Sequence, residues 1–76
     1  MKNMIWKAEI LSENRTKLRI ELPNGEVVEG YSMGIELATD DEGEELDYEE
    51  LVLEVDFQKA YVRLKNEDII SVTKAP

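Results

Sequence analysis

The residues of this chain that cluster densely enough to do chemistry are carboxylates. Asp40, Asp41, Glu42, Glu44, Glu45, Asp47, Glu49 and Glu50 place eight acids and no base within eleven consecutive positions. Paired carboxylates hydrolyse glycosidic bonds, carboxylate loops hold calcium, and acidic segments meet basic partners. Hydrolysis also needs a cleft long enough for sugar on both sides of the bond, which a chain of 76 residues is too small to supply. A calcium loop of the EF-hand type fails at its first ligand. Aligning Gly43 with the invariant glycine puts Asp40, Glu42 and Glu49 at ligand positions but Ala38 where an Asp is required, and no helix pattern precedes it. Weak, nonspecific attraction of divalent cations is all that the run implies. The expectation is a solvated acidic loop over 39–50, kept soluble by self-repulsion. Such a loop has two uses: it meets a basic partner surface, or it mimics a phosphate backbone and fills a nucleic-acid-binding protein's groove.

The remaining inventory is spare. There is no His and no Cys, so the commonest general base, the commonest metal ligand and the strongest side-chain nucleophile are all missing. Ser12, Ser32 and Ser71 lie in no recognisable nucleophile setting. Gly25, Gly30, Gly34 and Gly43 form neither GxxxxGK[ST] nor GxGxxG. The expectation is a protein that is not an enzyme and takes no cofactor. Arg19, Tyr31, Tyr61 and Arg63 are the candidate interaction surface, because Tyr and Arg are favoured at binding hot spots. Trp6 and Phe57 fall at inward positions of alternating segments and are expected in the core.

The net charge of −9 is concentrated in the acidic run, which leaves ten acids against nine bases elsewhere. A nonspecific nucleic-acid binder needs a positive footprint, so nucleic acid is an unfavoured partner. The absence of cysteine fits the cytoplasm. No apolar run approaches the roughly 20 residues of a membrane span, and Met1 to Trp6 lacks a signal-peptide core, so a soluble protein is expected. One domain of this size buries only about 60% of its unfolded surface on folding. Its apolar faces must suffice or a partner subunit must add to them, which leaves a protein partner or a homo-oligomer open.

Hydrophobic periodicity places the elements. Met4 to Leu11 alternates and reads as a first strand, with Met4, Trp6, Ala8 and Ile10 on one face. A second covers Thr16 to Leu22, with Leu18, Ile20 and Leu22 inward, and turns on Pro23-Asn24-Gly25. A third holds apolar groups on both faces, which marks Gly30 as a bulge or bend that switches the inward face. Leu51 to Phe57 forms a fourth; a helix from near Asp47 is the weaker reading of that stretch. Gln58-Lys59 turns into Ala60 to Leu64, with Ala60, Val62 and Leu64 inward. After Asn66-Glu67-Asp68, a short strand over Ile69 to Thr73 presents Ile70 and Val72, and residues 74–76 fray. The expected fold is all-β: a single antiparallel meander of five strands forming a small, partly open barrel over 1–76, since curling removes exposed edges.

The segment from Lys17 to Gly30, with Gly25 five residues before Gly30, resembles the first motif of an Sm-like domain. Val62-Arg63-Leu64-Lys65-Asn66-Glu67-Asp68-Ile69-Ile70-Ser71-Val72 is similar to its second, an ending shared with many SH3-like barrels. The resemblance implies the barrel and, in the family, RNA binding. The RNA-holding residues are replaced, however: Tyr31-Ser32-Met33-Gly34-Ile35-Glu36 stands where the family has Asp and Met-Asn, and Lys65-Asn66 where it has Arg-Gly. The family's N-terminal helix is also expected to be missing. The function expected is a non-catalytic binding or assembly module, with an acidic inhibitor or nucleic-acid mimic, and an Sm-like RNA binder, as alternatives.

Overall fold

The computed structural model describes residues 3–55 and 60–76, so the expectations for Phe57 and for a turn at Gln58-Lys59 lie outside the described residues. An N-terminal helix α1 (Met4–Leu11) precedes five strands: β1 (Leu18–Glu21), β2 (Val27–Thr39), β3 (Glu45–Val55), β4 (Ala60–Lys65) and β5 (Ser71–Lys74). A short 3-10 turn, η1 (Asn66–Asp68), joins the last two. The strands form one antiparallel sheet in the order β4-β3-β2-β1-β5. β4 and β5 lie at opposite ends of that order, so the sheet is not closed: it is the partly open small barrel expected.

The first segment is a helix rather than a strand. Met4, Ile5 and Ala8 are buried while Trp6 and Ile10 stand out in solvent, a 3.6-residue spacing that the fortuitous alternation concealed. The helix is settled by its start. The Asn3 side chain accepts from the Trp6 amide at 3.0 Å and its carbonyl from the Lys7 amide at 3.1 Å. The Met4 amide donates to Asn66 Oδ1 at 2.6 Å and the Ile5 amide to the same oxygen at 3.4 Å. The amides of Met4, Ile5 and Trp6, which have no acceptor within the helix, are thus satisfied, and the Lys7 amide makes the first intrahelical bond. Trp6, expected in the core, is 48% exposed as a consequence, and the N-terminal helix, expected to be missing, is present.

Alternation holds along β1, but on β3 Val52, expected to alternate outward between Leu51 and Leu53, is buried as well. Leu18, Ile20, Leu51, Leu53, Leu64 and Val72 are buried and pack with Met4, Ile5 and Ala8 into one core. Before the last strand Ile69 is buried and Ile70, expected inward with Val72, is 54% exposed: Ile69 closes η1 and β5 begins only at Ser71, so the alternation that buries Val72 does not extend back to Ile70. Lys74, expected to fray, is paired opposite Leu18, and the Ala75 amide donates to the Lys17 carbonyl.

The inward face of β2 does switch part-way, but at Met33 and not at Gly30. Ser32 pairs with Leu53 and Gly34 with Val52, so Met33 is the extra residue of a bulge. Gly34 takes φ +118°, and its amide donates to Ser32 Oγ at 3.1 Å. Val28 and Gly30 therefore share the inner face with Ile35 of the opposite parity. Gly30 keeps unbroken register with Leu18 and Val55. Its glycine answers a different need: a Cβ there would overlap the Glu54 carbonyl oxygen across the ladder. Gly30→Ala is expected to lower stability by about 1–3 kcal/mol through forced backbone displacement, measured as a reduced urea midpoint; an unchanged midpoint would show that the strands tolerate the wider spacing.

Candidate functional site

The acidic run is more ordered than a solvated loop. β2 continues to Thr39 and β3 begins at Glu45, which reduces the expected loop over 39–50 to the turn at Asp40 to Glu44. The Gly43 amide donates to the Asp40 carbonyl at 3.0 Å and the Asp40 amide to the Glu44 carbonyl at 2.9 Å, with Gly43 at φ +83°. This is a type I turn closed by a left-handed glycine. The turn at Pro23-Asn24-Gly25 is built the same way: the Gly25 amide bonds the Leu22 carbonyl at 3.0 Å, the Leu22 amide bonds Glu26 at 2.8 Å, and Gly25 has φ +88°. Asp40 Oδ1 also accepts from the Glu42 and Glu44 amides at 2.9 and 3.0 Å, so this acid shapes the turn. Asp41, Glu42, Glu44, Glu45, Asp47 and Glu49 are exposed, the first three in the turn and the other three on β3 in an antiparallel ribbon that runs past the ends of β1 and β4. Among the described residues no group of three or more acids converges in a geometry that could hold a metal ion.

Strand pairing puts the four candidate surface residues on one face. Tyr31 lies directly opposite Glu54, which lies opposite Tyr61, so the two tyrosines occupy one cross-strand row with a carboxylate between them. Tyr31 is half-buried, with the Arg15 guanidinium 5.3 Å from its ring centroid. Tyr61 is open to solvent. Arg19 lies outside that row, paired with Glu29 at 3.3 Å.

Arg63 has a structural assignment. Glu36 and Glu50 are directly opposed across the β2–β3 ladder, an arrangement that is destabilising for like charges. The Arg63 Nε donates to Glu50 at 2.9 Å, its Nη1 reaches Glu36 at 3.1 Å, and its Nη2 touches the Leu37 carbonyl at 3.5 Å. The Glu50 hydrogen bond, opposed by partial burial and reinforced by Glu36, pushes the Arg63 pKa further up. A raised pKa contributes stability below the unfolded value and loses it only at strongly alkaline pH, so this clamp is present throughout the neutral range.

Sequence reasoning missed a groove of about 290 Å³ between α1, β3 and η1. Its floor and walls include Ile5, Trp6, Tyr48, Glu49, Lys65 and Glu67. Ile5 is buried, whereas Trp6 and Tyr48 are 48% and 40% exposed, and the Lys65 ammonium sits 5.7 Å from the Tyr48 ring centroid. Asn66 cannot contribute its side-chain oxygen to a ligand here, because that oxygen holds the start of α1. The signal that would have found the groove is a helical reading of Met4 to Leu11, which turns Trp6 outward.

No family model matches the chain, and searches of curated proteins and of solved structures find no match either.

Removing the Arg63 clamp tests its structural role. Arg63→Gln is expected to cost about 1 kcal/mol, the scale of exposed ion pairs, and Glu36→Gln in that background should recover part of the loss by ending the Glu36–Glu50 repulsion. A thermal-melt double-mutant cycle reads the coupling; strictly additive effects would count against the clamp.

Proposed function

We propose that this chain is a non-catalytic assembly module whose unpaired strands β4 and β5 take up strands of other chains, first among them further copies of itself. The observation that carries the reading is the open sheet: two unlike edges stand at its opposite ends, and neither is paired among the described residues. Unpaired edges are usually blunted by proline, charged side chains or covering elements, and the charges on these two are Arg63 and Lys65 on β4 and Lys74 on β5. Here β4 is Ala60-Tyr61-Val62-Arg63-Leu64-Lys65 and β5 is Ser71-Val72-Thr73-Lys74, without proline in either. Exposed apolar groups flank both: Tyr61 on β4, and Ile70 beside a hollow at β5 that Met4 and Lys7 also line. One repeated contact of β4 with β5 satisfies both edges at once, a head-to-tail arrangement that closes into a ring or continues as a filament. The small core adds a motive, since association supplies apolar burial that 76 residues lack. The missing His and Cys support the non-catalytic part of the reading.

A second reading, an acidic inhibitor that mimics nucleic acid, is favoured by the ribbon. Its carboxylates are held at strand spacing by a hydrogen-bonded turn. The Sm-like RNA-binding alternative has no comparable support. An oligonucleotide would approach a chain of net charge −9, and the family's RNA-holding residues are replaced.

Light scattering coupled to size exclusion is expected to give multiples of 8.8 kDa that grow with concentration. Tyr61→Lys and Thr73→Lys, each placing an ammonium on one edge, should each return the monomer. A monomer at every concentration for the unmodified chain would sink self-assembly. For the mimic, heparin should displace the chain from a basic partner recovered by pull-down; a complex indifferent to heparin would reject it.

A further inference from the structure

We propose that the groove between α1 and β3 is a docking site for a basic peptide segment, with an arginine side chain entering beside Trp6 and Tyr48. The two aromatic walls belong to neither edge strand; Lys65, which also lines the groove, is the last residue of β4. Trp6 and Ile5 are neighbours on α1, about 100° apart around the helix. Burial of Ile5 against the sheet therefore directs the indole sideways, over the groove. The backbone beneath the indole is held in place: the Trp6 amide by Asn3, and the amides of Met4 and Ile5 by Asn66. Tyr48 faces the same space from β3, and Glu49 and Glu67 line it with carboxylates.

Aromatic faces beside carboxylates in a hollow floored by an aliphatic side chain suit a cation with an apolar flank. Lys65 shows this directly. Its ammonium lies 5.7 Å from the Tyr48 ring centroid and is the one cation among the described groove residues. It thus occupies, from within the chain, a position a ligand cation would take. Arginine fits better than lysine, since its planar guanidinium stacks on a ring while its N–H fork meets a carboxylate. The charge of −9 and the acidic ribbon next to Tyr48 draw a basic segment in and discourage an acidic one.

Trp6 is the single tryptophan of the chain and reports on the groove. The full chain is titrated, with Trp6 emission recorded, against a capped peptide carrying arginine between two leucines, and against the same peptide with lysine or glutamate in its place. Saturable binding is expected, strongest for arginine and lost for glutamate. Tyr48→Ala and Glu49→Gln should each weaken it about three- to tenfold. Lys65→Gln should tighten it severalfold by removing the internal competitor, a gain that misfolding does not produce. Neutralising the hairpin tip with Asp40→Asn, Asp41→Asn, Glu42→Gln and Glu44→Gln should change affinity by no more than about twofold at physiological salt. Absence of saturation with the arginine peptide would overturn the proposal. So would affinity that follows the tip charges while ignoring Tyr48 and Lys65, which marks diffuse attraction alone.

Discussion

A single side-chain oxygen, Asn66 Oδ1, holds the two ends of the described chain together. It accepts from the amides of Met4 and Ile5 across 62 and 61 positions of sequence. The sheet alone leaves its inner face open, and α1 is the element that covers it, supplying Met4, Ile5 and Ala8 to the core. A helix of eight residues is too short to persist on propensity. It depends on the packing of those three side chains and on acceptors for its first amides. Asn66 supplies that from η1, and the same contact fixes the wall on which Trp6 stands. The core, the lid and the groove therefore rest on the seating of one short helix.

Electrostatics divides along the β2–β3 hairpin. Near the body, Arg63 relieves the direct opposition of Glu36 and Glu50, and Arg19 meets Glu29. Farther out, the acids of the ribbon face water, where salt screens their mutual repulsion. The charge is thereby kept away from the core, which contains no buried polar or charged residue among those described.

Much of this architecture was legible in the sequence. Leu18 and Ile20 alternate with Arg19 because one face of β1 is buried, Leu51 and Leu53 follow the same period although Val52 between them is buried as well, and the glycine turn at Gly25 carries its own signature. α1 was not legible as a helix by periodicity. Met4, Trp6, Ala8 and Ile10 fit a period of two as well as Met4, Ile5, Ala8 and Leu11 fit one of 3.6, and the deciding partner, Asn66, is remote in sequence. The acidic run hid its turn for another reason: composition suggested repulsion and disorder, while Asp40 and Gly43 occupy the places that a type I turn with a left-handed glycine requires. The groove stayed hidden with the helix, since Trp6 can only be placed outside once the helical phase is known.

The bulge at Met33 has a bearing on how this chain tolerates change. It absorbs the parity shift between the part of β2 that pairs with β1 and the part that extends beyond it. The outer hairpin is thereby uncoupled from the inner rows in the manner of a mechanical slip joint. Residues added to or removed from the arm in matched cross-strand pairs leave Leu18, Gly30 and Val55 in their places. Reach and charge of the arm can thus change while the barrel that carries it stays the same.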